Sequence, residues 1–232
     1  MSAEMHEFRD GAALAEGLAD RVSAALADGI AARGRATIAV SGGSTPKAFF
    51  RALATRDIDW SKVTVTLVDE RFVPADNPRS NHLLVADNLL QGKAKAAGFL
   101  PLYRDAGSAE EAAKIASAAV ASLGHPFDVV VLGMGTDGHT ASFFPGGSNL
   151  AEAISAATPR GVITMEAEGA GETRLTLTFA SLQDARLLVL HIEGQGKKDV
   201  LAAATGDGPE TDMPIRAVLR RAATPVDIYW AP

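Results

Sequence analysis

No cysteine occurs in the 232 residues of this chain. Disulfides, thiolate nucleophiles and cysteine-ligated metals are thereby excluded, and the absence fits a reducing compartment. Aromatic side chains are sparse at 6%, and Trp60, Trp230 and most phenylalanines read as packing rather than as a ligand platform. Long apolar runs are missing, since none approaches the ~20 residues of a membrane helix. Dense Lys/Arg stripes are missing too, and the net charge is −6. A phosphate backbone needs many cationic contacts, so no nucleic acid and no membrane is expected as a partner. A small anionic ligand needs only a few local cations. The opening Met1–His6 lacks the basic start and apolar run of a signal peptide, which makes the expected location cytoplasmic. The five histidines show neither H-x-x-x-H nor H-E-x-x-H spacing, so no metal and no other cofactor is expected.

What is present suffices for one large core: 47% of residues are hydrophobic and 22% charged. We expect a single domain over residues 1–232. The spacing of Leu14, Leu18, Val22 and Ile30 predicts a helix over Gly11–Arg33 that stops at Gly34. Further helices are expected over Lys47–Thr55, Ser80–Leu90, Ser108–Leu123, Lys197–Ala204 and Pro214–Arg221. Short, apolar or β-branched runs predict strands at Ala36–Val40, Val63–Val68, Phe99–Tyr103, Phe127–Leu132, Gly161–Glu166, Thr173–Phe179, Arg186–Ile192 and Val226–Trp230. The small, polar Gly146–Thr158 segment reads as a surface excursion. Strands alternating with helices imply an α/β fold with a mostly parallel, Rossmann-like sheet and helices on both faces. In such sheets ligands sit beyond the C-terminal strand ends. That places Ser41–Thr45, Asp69–Arg71 and Gly133–His139 around one site.

Ser41-Gly42-Gly43-Ser44-Thr45-Pro46 joins a strand to a helix. Glycines let the backbone approach an anion, two hydroxyls add donors, and the helix contributes free N–H groups. The alternative is that Ser44 or Thr45 only caps the helix. No Gly-Lys-Ser/Thr ending follows, so this is not an ATP or GTP loop. Gly133-Met134-Gly135-Thr136-Asp137-Gly138 matches G-x-G-x-x-G in form. Asp137 would aim negative charge at a pyrophosphate, however, and no clean helix follows, so nicotinamide binding is not expected. His139 beside Asp137 suits a general base oriented by a carboxylate. The other histidines read as ordinary bonded residues, with His82 placed near enough to line the site. Phe143 and Phe144 read as an apolar wall.

Taken together, Ser41–Pro46, Asp69-Glu70-Arg71-Phe72-Val73-Pro74, Ser80-Asn81-His82, Gly133–Gly146 and Pro225–Trp230 resemble 6-phosphogluconolactonases, from about residue 35 to the C-terminus. The resemblance implies hydrolysis of a sugar phosphate lactone, with His139, Asp137 and Arg71 catalytic. Gly42, Gly43, Ser44, Thr45, Asp69, Arg174 and Lys197 would bind the substrate. Lys198 beside Lys197 leaves the lysine register open. Arg71 suits either the phosphate or the developing oxyanion, and Arg174 reads equally as a solvated surface residue. The related glucosamine-6-phosphate deaminases place a glutamate where this chain has Phe144, and an aromatic residue where it has Arg71. A deaminase or isomerase activity and a non-catalytic sugar-phosphate sensor remain as alternatives. The Asp137-Gly138-His139 run and the lack of an attached DNA-binding segment speak against the sensor. No Gly-x-Ser-x-Gly elbow is present, so direct attack by water is expected rather than an acyl-enzyme.

Overall fold

The computed structural model describes residues 4–232. Met1–Ala3, which open the segment read as lacking a signal peptide, lie outside them. The first element, β1 (Glu4–Glu7), is a strand that its polar sequence does not announce. It forms by pairing in parallel with the last strand. Helix α1 (Gly11–Arg33) has the expected bounds. Asp10 caps its start by accepting the Ala13 N–H at 2.8 Å, and Gly34 ends it at φ 73°, a left-handed conformation that favours glycine. Leu14, Leu18, Val22 and Leu26 form its buried stripe.

Then follow β2 (Ala36–Val40), α2 (Lys47–Ala54), β3 (Val63–Leu67), β4 (Asp69–Arg71), α3 (Asn81–Asn88), β5 (Gly98–Leu100) and α4 (Ala109–Ala121). The second half comprises β6 (Val129–Leu132), α5 (Leu150–Ala153), β7 (Val162–Met165), β8 (Arg174–Leu177) and α6 (Phe179–Leu182). It closes with β9 (Leu187–Glu193), α7 (Gln195–Thr205), α8 (Ile215–Arg221) and β10 (Val226–Ala231). Seven strands form one sheet in the order β1-β10-β9-β6-β2-β3-β5, parallel at every pairing. Flanked by helices, its inner strands are mostly apolar, and all five residues of β2 are buried. Among the described residues no helix is long and apolar enough to cross a membrane.

Two expectations need correction. Asp69-Glu70-Arg71, read as a loop, is strand β4 of a separate antiparallel sheet ordered β4-β8-β7. The predicted strands around residues 161–166 and 173–179 belong to this small sheet rather than to the parallel one. Val68 is the junction: its N–H donates to Val40 O at 2.9 Å, and its carbonyl accepts the Leu177 N–H at 2.8 Å. A run of three charged residues carries little strand propensity, so its partner in β8 decides the outcome. The second correction concerns Gly146–Thr158. It contains α5, and Leu150, Ala153 and Ile154 are buried, so the segment is tied to the core.

Candidate active site

Strands β9, β6, β2 and β3 are neighbours, so the loops at their C-terminal ends open on common ground. They enclose a cleft of about 370 Å³, within the ~300–1,000 Å³ common for small-molecule sites. Gly42, Gly43, Ser44 and Thr45 line one wall, with Asp69, Arg71, Arg174, His139 and Lys197 around the rest. Asp137 does not line the cleft; it reaches the site through His139.

The Ser41–Thr45 loop differs from expectation in what its glycines do. Gly43, at φ 100°, makes the turn. Gly42 lacks a side chain for another reason: a Cβ there would overlap the Asn81 amide. Asn81 is buried and its Nδ2 donates to Asp69 O at 2.9 Å. This residue, to which the sequence assigned no role, therefore locks the loop to β4. Helix α2 has no side-chain cap, so neither Ser44 nor Thr45 is occupied in capping it. Ser41 Oγ accepts the Gly133 N–H at 3.1 Å, which ties this loop to the next. Gly42→Ala is expected to lower stability by ~1–3 kcal/mol through overpacking, read as a lower urea midpoint. An unchanged midpoint would mean that the Asn81 contact yields.

The Gly133–His139 loop is braced at every turn. Gly135 N donates to His139 O at 2.8 Å, Ile215 N to Gly138 O at 2.9 Å, and Thr140 Oγ1 to Gly133 O at 2.8 Å. His139 Nδ1 lies 2.6 Å from Asp137 Oδ1, and the same oxygen accepts the His139 N–H at 3.1 Å. Burial pushes Asp137 upward, but the His139 N–H and imidazole outweigh it and hold Asp137 below the ordinary carboxylate range. An ionised Asp137 fixes the proton on Nδ1 and leaves Nε2 with a lone pair.

On the small sheet, Arg71 and Arg174 are directly opposed across β4 and β8. Arg174 is 8% exposed, so the solvated-surface alternative is wrong. Its Nη2 donates to Ala170 O at 2.5 Å, its Nη1 lies 3.9 Å from Asp69 Oδ2, and its Nε is buried without a partner. Burial lowers its pKa, the Asp69 charge opposes that, and Arg71 adds to it. Arg71 donates from Nη1 to Arg79 O, and its Nε also lacks a partner. Both guanidinium groups line the cleft, where their positive charge suits an anionic oxygen. Asp69 is itself held by Ser142, whose hydroxyl donates to Oδ2 at 2.6 Å. Glu70, fully buried, accepts from Arg71 N, Asn81 N, His82 N and Ser80 Oγ at 2.7–3.0 Å. Burial raises its pKa against those donors. It staples β4 to the start of α3.

The two adjacent lysines differ in their contacts. Lys197 lines the cleft, whereas Lys198 bonds Glu7 at 2.7 Å and lies over the Trp230 ring. Burial holds Lys197 below the ordinary lysine value, with Asp137 opposing. His82 does not line the cleft; its ring packs on Phe99 at 4.4 Å. His191, expected to be an ordinary bonded residue, pairs with Glu193 at 3.0 Å, and both lie in the cleft floor. Glu193 directly precedes the Gly194-Gln195-Gly196-Lys197 run, the one local signal that marked it. Among the described residues, Glu4, His6 and Asp227 have ligand atoms within 4.8 Å of one another. None of the three lines the cleft.

Residues 9–230 match the model of the family described as glucosamine-6-phosphate isomerases/6-phosphogluconolactonase. The chain belongs to this family. It is 71% identical over 232 residues, the full length of both, to a protein of Rhizobium meliloti (strain 1021) named 6-phosphogluconolactonase. A protein of the same name from Mesorhizobium japonicum is 54% identical over 97% of this chain and 94% of the relative. Among solved structures, a 6-phosphogluconolactonase from Shewanella baltica OS155 superposes with a TM-score of 0.93 at 39% identity, covering 100% of this chain and 98% of that one. Phe144, one of the two positions read from the sequence as differing from the deaminases, lines the cleft. It is 5% exposed, with its ring against His139, so no acid stands there.

Proposed function

We propose that this chain hydrolyses 6-phospho-D-glucono-1,5-lactone to 6-phospho-D-gluconate in the oxidative pentose phosphate pathway. The observation that carries the mechanism is the 2.6 Å His139–Asp137 pair in a cleft that also presents the Ser41–Thr45 loop and Lys197. Asp137 holds the Nδ1 proton, so Nε2 takes a proton from the attacking water. The water oxygen bonds to C1 and the carbonyl oxygen gains negative charge. Arg174 and Arg71 stabilise that charge. This role is supported by position, since Arg174 lies over Phe144, whose ring packs at a tilt against His139. The C1–O5 bond then breaks, and the imidazolium returns its proton to the departing ring oxygen. Asp69 binds a sugar hydroxyl. The phosphate is held by Gly42, Gly43, Ser44, Thr45 and Lys197, where backbone donors at a helix start meet an ammonium group.

The test is the rate with freshly prepared lactone against its spontaneous hydrolysis. A rate at background would overturn the proposal in favour of a sensor, and ammonia release from glucosamine 6-phosphate would favour a deaminase. A second expectation concerns Lys197→Ala. Removing a charged hydrogen bond is worth ~1.5–3 kcal/mol, so KM for the phosphorylated lactone should rise about 10–100-fold, with unphosphorylated gluconolactone little affected. Equal losses on both lactones would misplace the phosphate. Lys197 is held low by burial, so it loses its charge at lower pH than an ordinary lysine does. Binding of the stable product should therefore weaken as pH rises through that lowered value. Calorimetric titration at increasing pH measures this without lactone decay.

A further inference from the structure

A hydrogen bond at one ring atom does not fix a histidine. The χ2 torsion is broad, and the Nδ1–Asp137 bond leaves the imidazole free to rock about that contact. His139 has a second contact. The Phe144 ring lies 4.4 Å from it, centroid to centroid, at 37° between planes. Phe144 also carries the Arg174 guanidinium, 5.4 Å from the ring centre. Phe144 is 5% exposed while the His139 side chain is 31% exposed. A fixed ring thus supports a half-open one.

The backbone is bent to make this contact. Phe143 N donates to Thr140 O at 2.9 Å, and Phe144 N to Ser142 O at 3.1 Å. The chain doubles back through Ala141 at φ 49°, the one positive φ among the described non-glycine residues. A non-glycine residue in that region costs free energy and persists where surrounding structure enforces it. The turn returns the chain to the imidazole and, through Ser142, to Asp69.

We infer that Phe144 is a positioning residue for His139, clamping the imidazole between its ring and Asp137 while its ring also packs against the Arg174 guanidinium. The inference rests on His139 being the base. Its test separates the two ideas by including a readout that needs no substrate. Phe144→Leu keeps apolar volume and loses the ring face; Phe144→Tyr keeps the face. For Phe144→Leu, kcat should fall roughly 3–10-fold, the scale of one aromatic pair, with KM within about twofold. Phe144→Tyr should retain kcat. In nitrogen-15 spectra of the ligand-free protein, the His139 Nδ1–H signal should be sharp in wild type and Phe144→Tyr. In Phe144→Leu it should be lost to solvent exchange.

Unchanged kcat and an unchanged Nδ1–H signal in Phe144→Leu would overturn the inference while leaving His139 as the base. Should both lactonase activity and its loss in Phe144→Leu persist in a His139→Ala background, the base assignment itself fails. A drop in kcat shared equally by Leu and Tyr variants, with the Nδ1–H signal intact, would reduce Phe144 to a packing residue.

Discussion

His139→Ala is expected to lower kcat by ~10²–10⁴-fold, the range that general base catalysis supplies. Binding of 6-phosphogluconate should change little. The split follows from the site. In the proposed function Lys197 and the Ser41–Thr45 loop grip the phosphate without using the imidazole, whereas no other imidazole lines the cleft beside Asp137. His191 is the remaining histidine there, but its Nε2 is engaged by Glu193 and its Nδ1 is buried. Fold damage should be slight, because His139 is partly exposed and truncation there opens no core cavity. Rates must be read above spontaneous lactone opening, with a melting curve beside them. Equal rates for wild type and variant, at equal stability, would remove His139 from the chemistry.

Gly135→Ala should be nearly as damaging, although it removes nothing. Gly135 does not have a positive φ, so alanine is acceptable to the backbone. The obstacle is steric: a methyl at this position would overlap both His139 Nδ1 and Asp137 Oδ1. These are the two atoms of the 2.6 Å pair. The methyl and the pair cannot coexist, and either the imidazole turns or the carboxylate leaves. A misplacement of ~1 Å in a reacting group can cost on the order of 10²-fold, and that is the kcat loss expected. The Nδ1–H resonance described above should vanish with it. Wild-type kcat in Gly135→Ala would mean that the loop shifts as a body and carries the pair along.

The legible parts of the chain were those whose cause is local. α1 could be bounded at both ends because its stripe and Gly34 lie within its own sequence, and the inner parallel strands because apolar runs mark them. Asp69-Glu70-Arg71 was misread because nothing in those residues favours a strand; β8, a hundred residues on, makes them one. β1 was invisible for the same reason. Type and spacing picked out motif residues that line the cleft, but not the reason for Gly42. Its missing Cβ makes room for Asn81, a contact that only the fold creates. Arg174 read equally as a substrate-binding cation and as a solvated surface residue, because nothing in its own stretch decides between them. Its burial follows from the small sheet, which was not foreseen. The strained Ala141 likewise has no local mark, since alanine is ordinary in composition and unusual only in its torsion.

Val68 has a consequence for which lactones fit. One peptide earlier the chain belongs to the parallel sheet, whose loops carry the proposed phosphate grip; one peptide later it belongs to the small sheet, whose Asp69, Arg71 and Arg174 carry the proposed contacts to the sugar. The spacing between the two grips is therefore set by main-chain pairing to Val40 on one side and Leu177 on the other. Side chains flex, but ladder pairings do not stretch. On the proposed assignment the cleft acts as a fixed-gauge calliper: a phosphorylated lactone one carbon shorter is expected to seat its phosphate or its carbonyl, and not both.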